Sequence, residues 1–532
     1  MSELQEDLRR PAAYPPPQPA AVELRETHVS WVFLTEGEVF KVKKPVDLGF
    51  LDFSTPEARR RACEAEVVLN TRLAAGAYLG VVPVRRGPDG RLHFHEGGDV
   101  VDWAVHMLRL PDENRADVRL ARGALDGALV DRIATHLAAF HARCRSDAAL
   151  AEHGSLAAIA RNVEENFAQT RAEVERYLTA DQVAEIERFQ RGFLDAKADL
   201  VERRRVEGYV RDGHGDLRLE HVYLEDAPAE GDGITILDCI EFSERYRVGD
   251  VCADLAFLSM DLAAHGRVDL AERLLAQYAR ASDDFDAYAL VDFYESYRAY
   301  VRAKVATLLA GAADRDDLRA RAEADARRHF LLALSATRRS VLPPVVVAVG
   351  GFIASGKSTV ADALAERLAA PVVDADRTRK GLIGVEHRAK VHVGAFEGPY
   401  DPKVTEVVYD EMVRRASVVL DSGRPVVLDA SFRTSGYRHR ARELARRHGV
   451  PFLFVECRVP PEVAMARLEE RERVGGVSDG RRAIFADFVA RTEEVSELDP
   501  SQHLVLDTAR PLADSLATLE ERIRTWPRGL VT

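Results

Sequence analysis

Apolar and polar residues alternate through residues 27–46 (THVSWVFLTEGEVFKVKKPV) on either side of Glu36-Gly37, the period-two pattern of two antiparallel strands closed by a tight turn. Helical spacing takes over at residues 56–75, strand character returns at residues 101–108 (VDWAVHML), and long helical patterns such as residues 129–144 run on to about residue 338. Strands first and helices afterwards is an α+β order, not a repeating βαβ one. Periodicity stops at Pro343-Pro344, and short apolar runs then alternate with helical stretches: residues 345–349, 372–373, 426–428, 452–455 and 504–506. That alternation predicts an α/β domain with a parallel sheet. The predicted organisation is an extended Pro-rich surface arm over residues 1–20, an α+β domain over 21–338, a linker over 339–344 and an α/β domain over 345–532. No repeat of fixed period relates the two halves.

A chain of 532 residues, 46% hydrophobic and 30% charged, is long enough for several cores and has the balance of a globular protein. No run approaches the roughly 20 apolar residues of a membrane span, and MSELQEDLRR lacks the basic-then-apolar order of a secretion signal, so the expected location is cytoplasmic with no membrane partner. Five scattered cysteines without a C-x-x-C pair indicate neither a disulfide framework nor a zinc site. The formal net charge of -13 gives no overall attraction to phosphate backbones, and nucleic acid is not the expected partner.

Residues 351–358 read GFIASGKS and satisfy G-x-x-x-x-G-K-[ST], between an apolar run and a helical stretch that starts at Thr359. Glycines such as Gly351 and Gly356 let backbone N–H groups converge on phosphate oxygens, and the helix start (Lys357, Ser358, Thr359) adds partial positive charge. Lys357 is expected to reach the β/γ-phosphates of ATP and Ser358 to ligate Mg²⁺. Asp429 ends the run VVLD, where it is either a metal-side carboxylate or a helix cap. Asp376, in DADRTR after the second run, is either the base that takes the proton of a substrate hydroxyl or a surface ion-pairing residue or cap. Arg467, Arg471 and Arg473 precede a glycine-containing stretch (VGGVSDG), so Arg471 is a candidate lid arginine or part of a solvated helix face.

On these residues the second half resembles the P-loop small kinases, the group of gluconate, shikimate, chloramphenicol and polynucleotide 5′-hydroxyl kinases. The D-x-x-R of Asp376 to Arg379 is similar to the base and anion contact of the polynucleotide-kinase-like members.

In the first half, residues 213–224 read GHGDLRLEHVYL and residues 236–242 read ILDCIEF. Phosphoryl transfer on a kinase-type fold needs a carboxylate to orient the acceptor hydroxyl and two groups to hold Mg²⁺; Asp216, His221 and Asp238 are candidates. His214, Gly215 and Asp216 resemble the H-G-D-x-x-x-x-N hallmark of the aminoglycoside phosphotransferase family. That resemblance implies a protein-kinase-like bilobal domain with Asp216 as catalytic base and His221 and Asp238 at the metal positions. It also implies Lys41 as the strand lysine on the nucleotide phosphates and Glu66 as its ion-pair partner. His221 departs from the family's Asn, and imidazole suits Mg²⁺ less well than oxygen does.

The expectation is therefore a cytoplasmic ATP-dependent phosphotransferase acting on a hydroxyl of a small polar molecule, with two ATP sites. The alternatives are a P-loop kinase with an inactive regulatory N-terminal domain, and a nucleic-acid 5′-hydroxyl kinase using the basic stretch of residues 433–447.

Overall fold

The computed structural model describes residues 3–27, 29–47, 51–226, 228, 231–313, 315–337, 344–385, 396–474 and 482–525. It divides into two compact units: residues 1–267 with 293–334, and residues 268–292 with 335–532. The expected linker falls almost wholly outside the described residues.

The first unit opens with a six-stranded antiparallel sheet. Its strands are β1 (Glu23–Glu26), β2 (Ser30–Leu34), β3 (Glu38–Lys43), β4 (Tyr78–Arg86), β5 (Leu92–His93) and β6 (Asp99–Leu108), in the order β1-β2-β3-β6-β4-β5. The hairpin turns at residues 35–37, with Thr35 Oγ1 accepting the Glu38 amide at 3.0 Å. Strand β4 was not visible as a pattern because Gly80 and Pro83 interrupt it; Pro83 lies where β4 pairs with β6 alone, an edge at which a missing N–H costs no ladder bond.

Residues 3–14 are not an extended arm, whereas Pro15 to Gln18 are exposed and outside any helix or strand. Glu3–Leu8 is helical, Pro11–Ala13 is a 3₁₀ turn, and Leu8, Ala13 and Tyr14 are buried with Phe33, Phe40 and Phe94. The prolines do prevent regular pairing, but Leu8 and Tyr14 give the segment enough apolar area to cover the sheet, where burial outweighs solvation.

The helix Pro56–Asn70 starts at the Thr55 cap, with proline in its first turn. Its buried residues Arg59, Cys63, Glu66 and Asn70 recur at helical spacing, which carries Glu66 to the sheet-facing side. Beyond it come helices, two small antiparallel pairs formed by β7 (Val210–Asp212) with β10 (Val248–Asp250) and by β8 (Val222–Leu224) with β9 (Ile234–Ile236), and the buried helix Val251–Ala264.

The second unit is built on a parallel sheet of β11 (Val346–Gly351), β12 (Val372–Asp374), β13 (Val426–Asp429), β14 (Phe452–Arg458) and β15 (His503–Asp507), in the order β12-β13-β11-β14-β15. All five apolar runs of the sequence become strands, because a parallel strand covered on both faces needs an unbroken apolar stretch and not an alternating one. Val347, Val349, Leu364, Val427, Leu453 and Leu506 sit in its core. Among the described residues, no helix is long and apolar enough to cross a membrane.

Candidate functional site

In the second unit the chain leaves β11 into a tight loop and enters the helix Lys357–Leu368. Gly351 has φ +140°, and a Cβ there would lie 2.4 Å from the Cys457 carbonyl oxygen, so the sharp exit from the strand admits no side chain. Gly356, at φ +83°, opens the helix. Lys357 Nζ donates to the Phe352 carbonyl at 2.8 Å, folding back over the loop, while Ser358 and Thr359 are exposed on the first turn. The loop is also held from behind. Thr508 Oγ1 donates to the Ser355 carbonyl at 2.6 Å, and Arg467 donates to the carbonyls of Ala354 and Thr508. Arg467 thus braces the loop, and Arg473 pairs with Glu470 on the surface. The Arg471 side chain and the glycine-containing stretch lie outside the described residues.

Asp374 and Asp429 end neighbouring parallel strands as register partners. Asp374 caps the helix Ala375–Leu382, accepting the Arg377 amide at 2.8 Å, and Asp376 follows in its first turn. Asp429 is buried, and its carboxyl is pushed up to about 7, first by burial and then by the charge of Asp374, against the pull of Lys357 and the Ser358 hydroxyl. Hydroxyl, ammonium and carboxylates therefore share one electrostatic neighbourhood at the carboxyl ends of the strands, where ligands of open α/β sheets bind. Arg379 is only 6% exposed, donating to the Pro399 carbonyl at 2.7 Å and lying 4.5 Å from the Tyr400 ring centroid.

In the first unit the residues around Asp216 converge by a different route. Asp254, in the first turn of Val251–Ala264, accepts the amides of His214 at 2.6 Å and Gly215 at 2.8 Å. Gly215 takes φ +87° where a Cβ would sit 2.9 Å from Arg247 Cα. His214 is wholly buried, and burial pushes its imidazole down to about 4. Neutral, it donates from Nε2 to the Leu237 carbonyl and accepts the Asp216 amide at Nδ1. Burial opposes the Asp216 charge, but Arg218 outweighs it with a two-pronged ion pair at 2.9 and 3.2 Å, and the carboxyl stays well below its usual range.

Strand β3 sends Lys41 and Lys43 to the same face. Lys41 Nζ lies 2.9 Å from Glu66 and 2.7 Å from Asp238; Lys43 Nζ lies 2.6 Å from Glu66 and also pairs with Glu241. Burial works against the Lys41 ammonium, but Asp238 and Glu66 hold it well above its ordinary value. Asp238 has φ +61°. His221 Nδ1 contacts the Asp216 carbonyl at 2.8 Å and Nε2 lies 3.3 Å from Arg218. Among the described residues, no group of three or more His, Cys, Asp or Glu side chains is placed to hold a metal ion.

Sequence reasoning missed Arg218, Glu241 and Asp374 as site neighbours. Arg218 and Asp374 each lie two residues from a candidate acid, so proximity alone was the available signal. Glu241 closes on Lys43 across 198 residues and left none.

Comparison with known proteins adds a family. A family model for the AAA domain matches residues 346–495, the stretch that holds the glycine loop and strands β11 to β14 of the parallel sheet. The chain is 35% identical over 484 residues to "Uncharacterized protein Rv2004c" of Mycobacterium tuberculosis (strain ATCC 25618 / H37Rv), covering 90% of this chain and 92% of that protein. "Uncharacterized protein Mb2027c" of Mycobacterium bovis matches to the same extent. Among solved structures, an unliganded sugar kinase from Janibacter sp. HTCC2649 matches at 21% identity and a TM-score of 0.27, over 36% of this chain and 99% of that one. A gluconokinase from Sinorhizobium meliloti 1021 matches at 24% identity and a TM-score of 0.24, over 36% and 100%.

Proposed function

The chain belongs to the family of the mycobacterial protein Rv2004c, and within that family we propose that its second unit is an ATP-dependent kinase that phosphorylates a hydroxyl of a small polar molecule. The observation that carries this reading is the tight glycine loop opening the helix Lys357–Leu368 beside a buried strand-end carboxyl, Asp429, that receives the Ser358 hydroxyl. Loop amides and Lys357 bind and orient the phosphates of ATP. Mg²⁺ suits the oxygen donors Ser358 and Asp429, since this ion keeps several waters and needs only one or two carboxylates; a divalent charge would offset the crowding of Asp429 with Asp374 and Asp376. When bound, the ion neutralises charge on the β- and γ-phosphate oxygens. Asp376 is assigned the acceptor's proton: the acceptor oxygen bonds to the γ-phosphorus, the bond to the β–γ bridging oxygen breaks, and ADP leaves.

A second phosphotransferase site in the first unit is favoured by one observation, the Lys41–Glu66 pair meeting Asp238. Asp216, ionised and oriented by Arg218, would accept a hydroxyl proton there. Mg²⁺ does not suit His221 and Asp238 as they stand, since His221 Nε2 faces Arg218 and Asp238 holds Lys41; no metal-dependent step is assigned to them.

ADP release by the purified full chain, screened against a metabolite library, tests both sites. Lys357→Ala is expected to lower turnover by at least 100-fold for acceptors of the second unit, and Asp216→Ala for those of the first. Full turnover in Lys357→Ala would refute the first assignment. No loss in Asp216→Ala for any acceptor would leave the first unit a non-catalytic module.

A further inference from the structure

Beyond the phosphate loop, the feature of the second unit that its fold does not explain is a pair of arginines on one phenyl ring. The Arg433 guanidinium lies 4.9 Å and that of Arg491 4.1 Å from the Phe396 ring centroid, so the two charges stand within about 9 Å of each other. Phe488 stacks on the same ring at 5.1 Å. Among the described residues neither arginine has a carboxylate partner. Three neighbouring arginines are committed to carboxylates: Arg438 to Glu497, Arg440 to Glu406 and Asp410, and Arg446 to Glu443. Two like charges on one ring repel each other, and an oxyanion between them would turn that repulsion into two charge-assisted hydrogen-bonding forks.

The pair is held in a built frame. The Glu493 amide donates to the Arg433 carbonyl at 2.8 Å, and Glu493 Oε2 accepts the Ser435 amide. Buried Arg438 ties the Phe432 and Glu493 carbonyls together. Phe432 and Phe396 themselves sit at φ +45° and +61°, conformations bulky residues avoid, and the Phe432 amide is fixed by the Tyr409 hydroxyl at 3.0 Å. Arg433 follows Asp429 by four residues on the loop leaving β13, at the carboxyl edge of the sheet where the acceptor must approach.

Resting on the kinase reading of this unit, we infer that Arg433 and Arg491 bind an oxyanion of the acceptor. The substrate is then a small alcohol that already carries a phosphate, sulfate or carboxylate, with Phe396 and Phe488 giving its carbon skeleton an apolar wall. A neutral polyol leaves both guanidiniums unanswered.

The test uses the full chain saturated with a non-hydrolysable ATP analogue, so that the phosphate loop is filled. It is titrated calorimetrically with sodium sulfate, sodium phosphate and sodium acetate, each against sodium chloride at equal ionic strength. Uptake of at least one oxyanion by the wild type, weakened at least tenfold in both Arg433→Met and Arg491→Met while thermal unfolding is unchanged, is the expected result. Phosphate and sulfate bound above acetate would point to a tetrahedral group, and the reverse to a carboxylate. Equal uptake by wild type and both variants, or none beyond chloride, would overturn the inference and leave the kinase reading intact. Failure of the wild type to bind the analogue would overturn the kinase reading, and with it the acceptor assignment, even if sulfate still bound. A 5′-hydroxyl oligonucleotide bound more tightly with increasing length would identify a strand groove and likewise overturn a small acceptor.

Discussion

Replacing Asp429 by asparagine should make the second unit more stable above neutral pH and leave it unchanged in acid. Asp429 is buried and stands beside Asp374 at the ends of two parallel strands, and together these raise its carboxyl to about 7. A raised acid keeps its proton in the folded state after the unfolded chain has lost it. Stability from this group is therefore complete below the ordinary carboxylate range near pH 4, declines through the interval up to about 7, and is fully lost above it. Three pH units at about 1.4 kcal/mol each set an upper bound of about 4 kcal/mol; rearrangement of Asp374 and water entry bring the expected difference to about 2 kcal/mol at pH 8. Asparagine keeps the size and the hydrogen bond from Ser358 but has no charge to bury. Slowest-exchanging amides of β11 and β13, followed by hydrogen exchange in metal-free protein at several pH values, report the stability of this unit separately from the other. Wild type and Asp429→Asn should coincide near pH 4 and diverge progressively to pH 8. Asp374→Asn, which preserves the cap to Arg377, should recover part of the same difference. Parallel curves across the range would refute the reasoning, because they would mean that the strand-end carboxylates charge without mutual cost.

Two further outcomes test the frames around the sites. Arg438→Met should destabilise the second unit by about 3–5 kcal/mol, since it strands Glu497 and three backbone carbonyls around a side chain that is 1% exposed; a loss below about 1 kcal/mol in the exchange of β13 amides would contradict this. In the first unit, Lys43→Met should cost about 3–5 kcal/mol by leaving Glu241 and half of Glu66 without a cation in a buried place. Exchange of β3 and β6 amides reads that change, and Lys41→Met, at a partly exposed position, should cost less.

The second unit was legible because its signals are local. Short unbroken apolar runs set between helical stretches mark its strands, and GFIASGKS fixes a turn that only glycine at 351 permits. The first unit was legible only in part. The hairpin around Glu36-Gly37 obeys period two, but β4 hides behind Gly80 and Pro83 because an edge position tolerates both. The N-terminal prolines suggested solvent, and Pro15, Pro16 and Pro17 are exposed, but Leu8, Ala13 and Tyr14 beside them are buried against the sheet. Composition describes what a segment can do alone, and neither of these segments acts alone.

Charged side chains mark the limit most clearly. Residues 433–447 carry six arginines in one basic stretch, which on paper could equally line a groove or solvate a helix. Folding pairs three of them with carboxylates: Glu497 claims Arg438 and Glu406 and Asp410 claim Arg440 from far off in the chain, while Glu443, three residues away, claims Arg446. Once those charges are neutralised locally, the stretch no longer offers a continuous positive track, and long-range attraction to a polyanion weakens with it. Arg433 is left with a second cation, Arg491, contributed from 58 residues away by the backbone clip at Glu493. A single oxyanion satisfies that pair where a long strand would need many such contacts. The same arithmetic of partners that disfavours a nucleic-acid groove is what favours a small anionic acceptor.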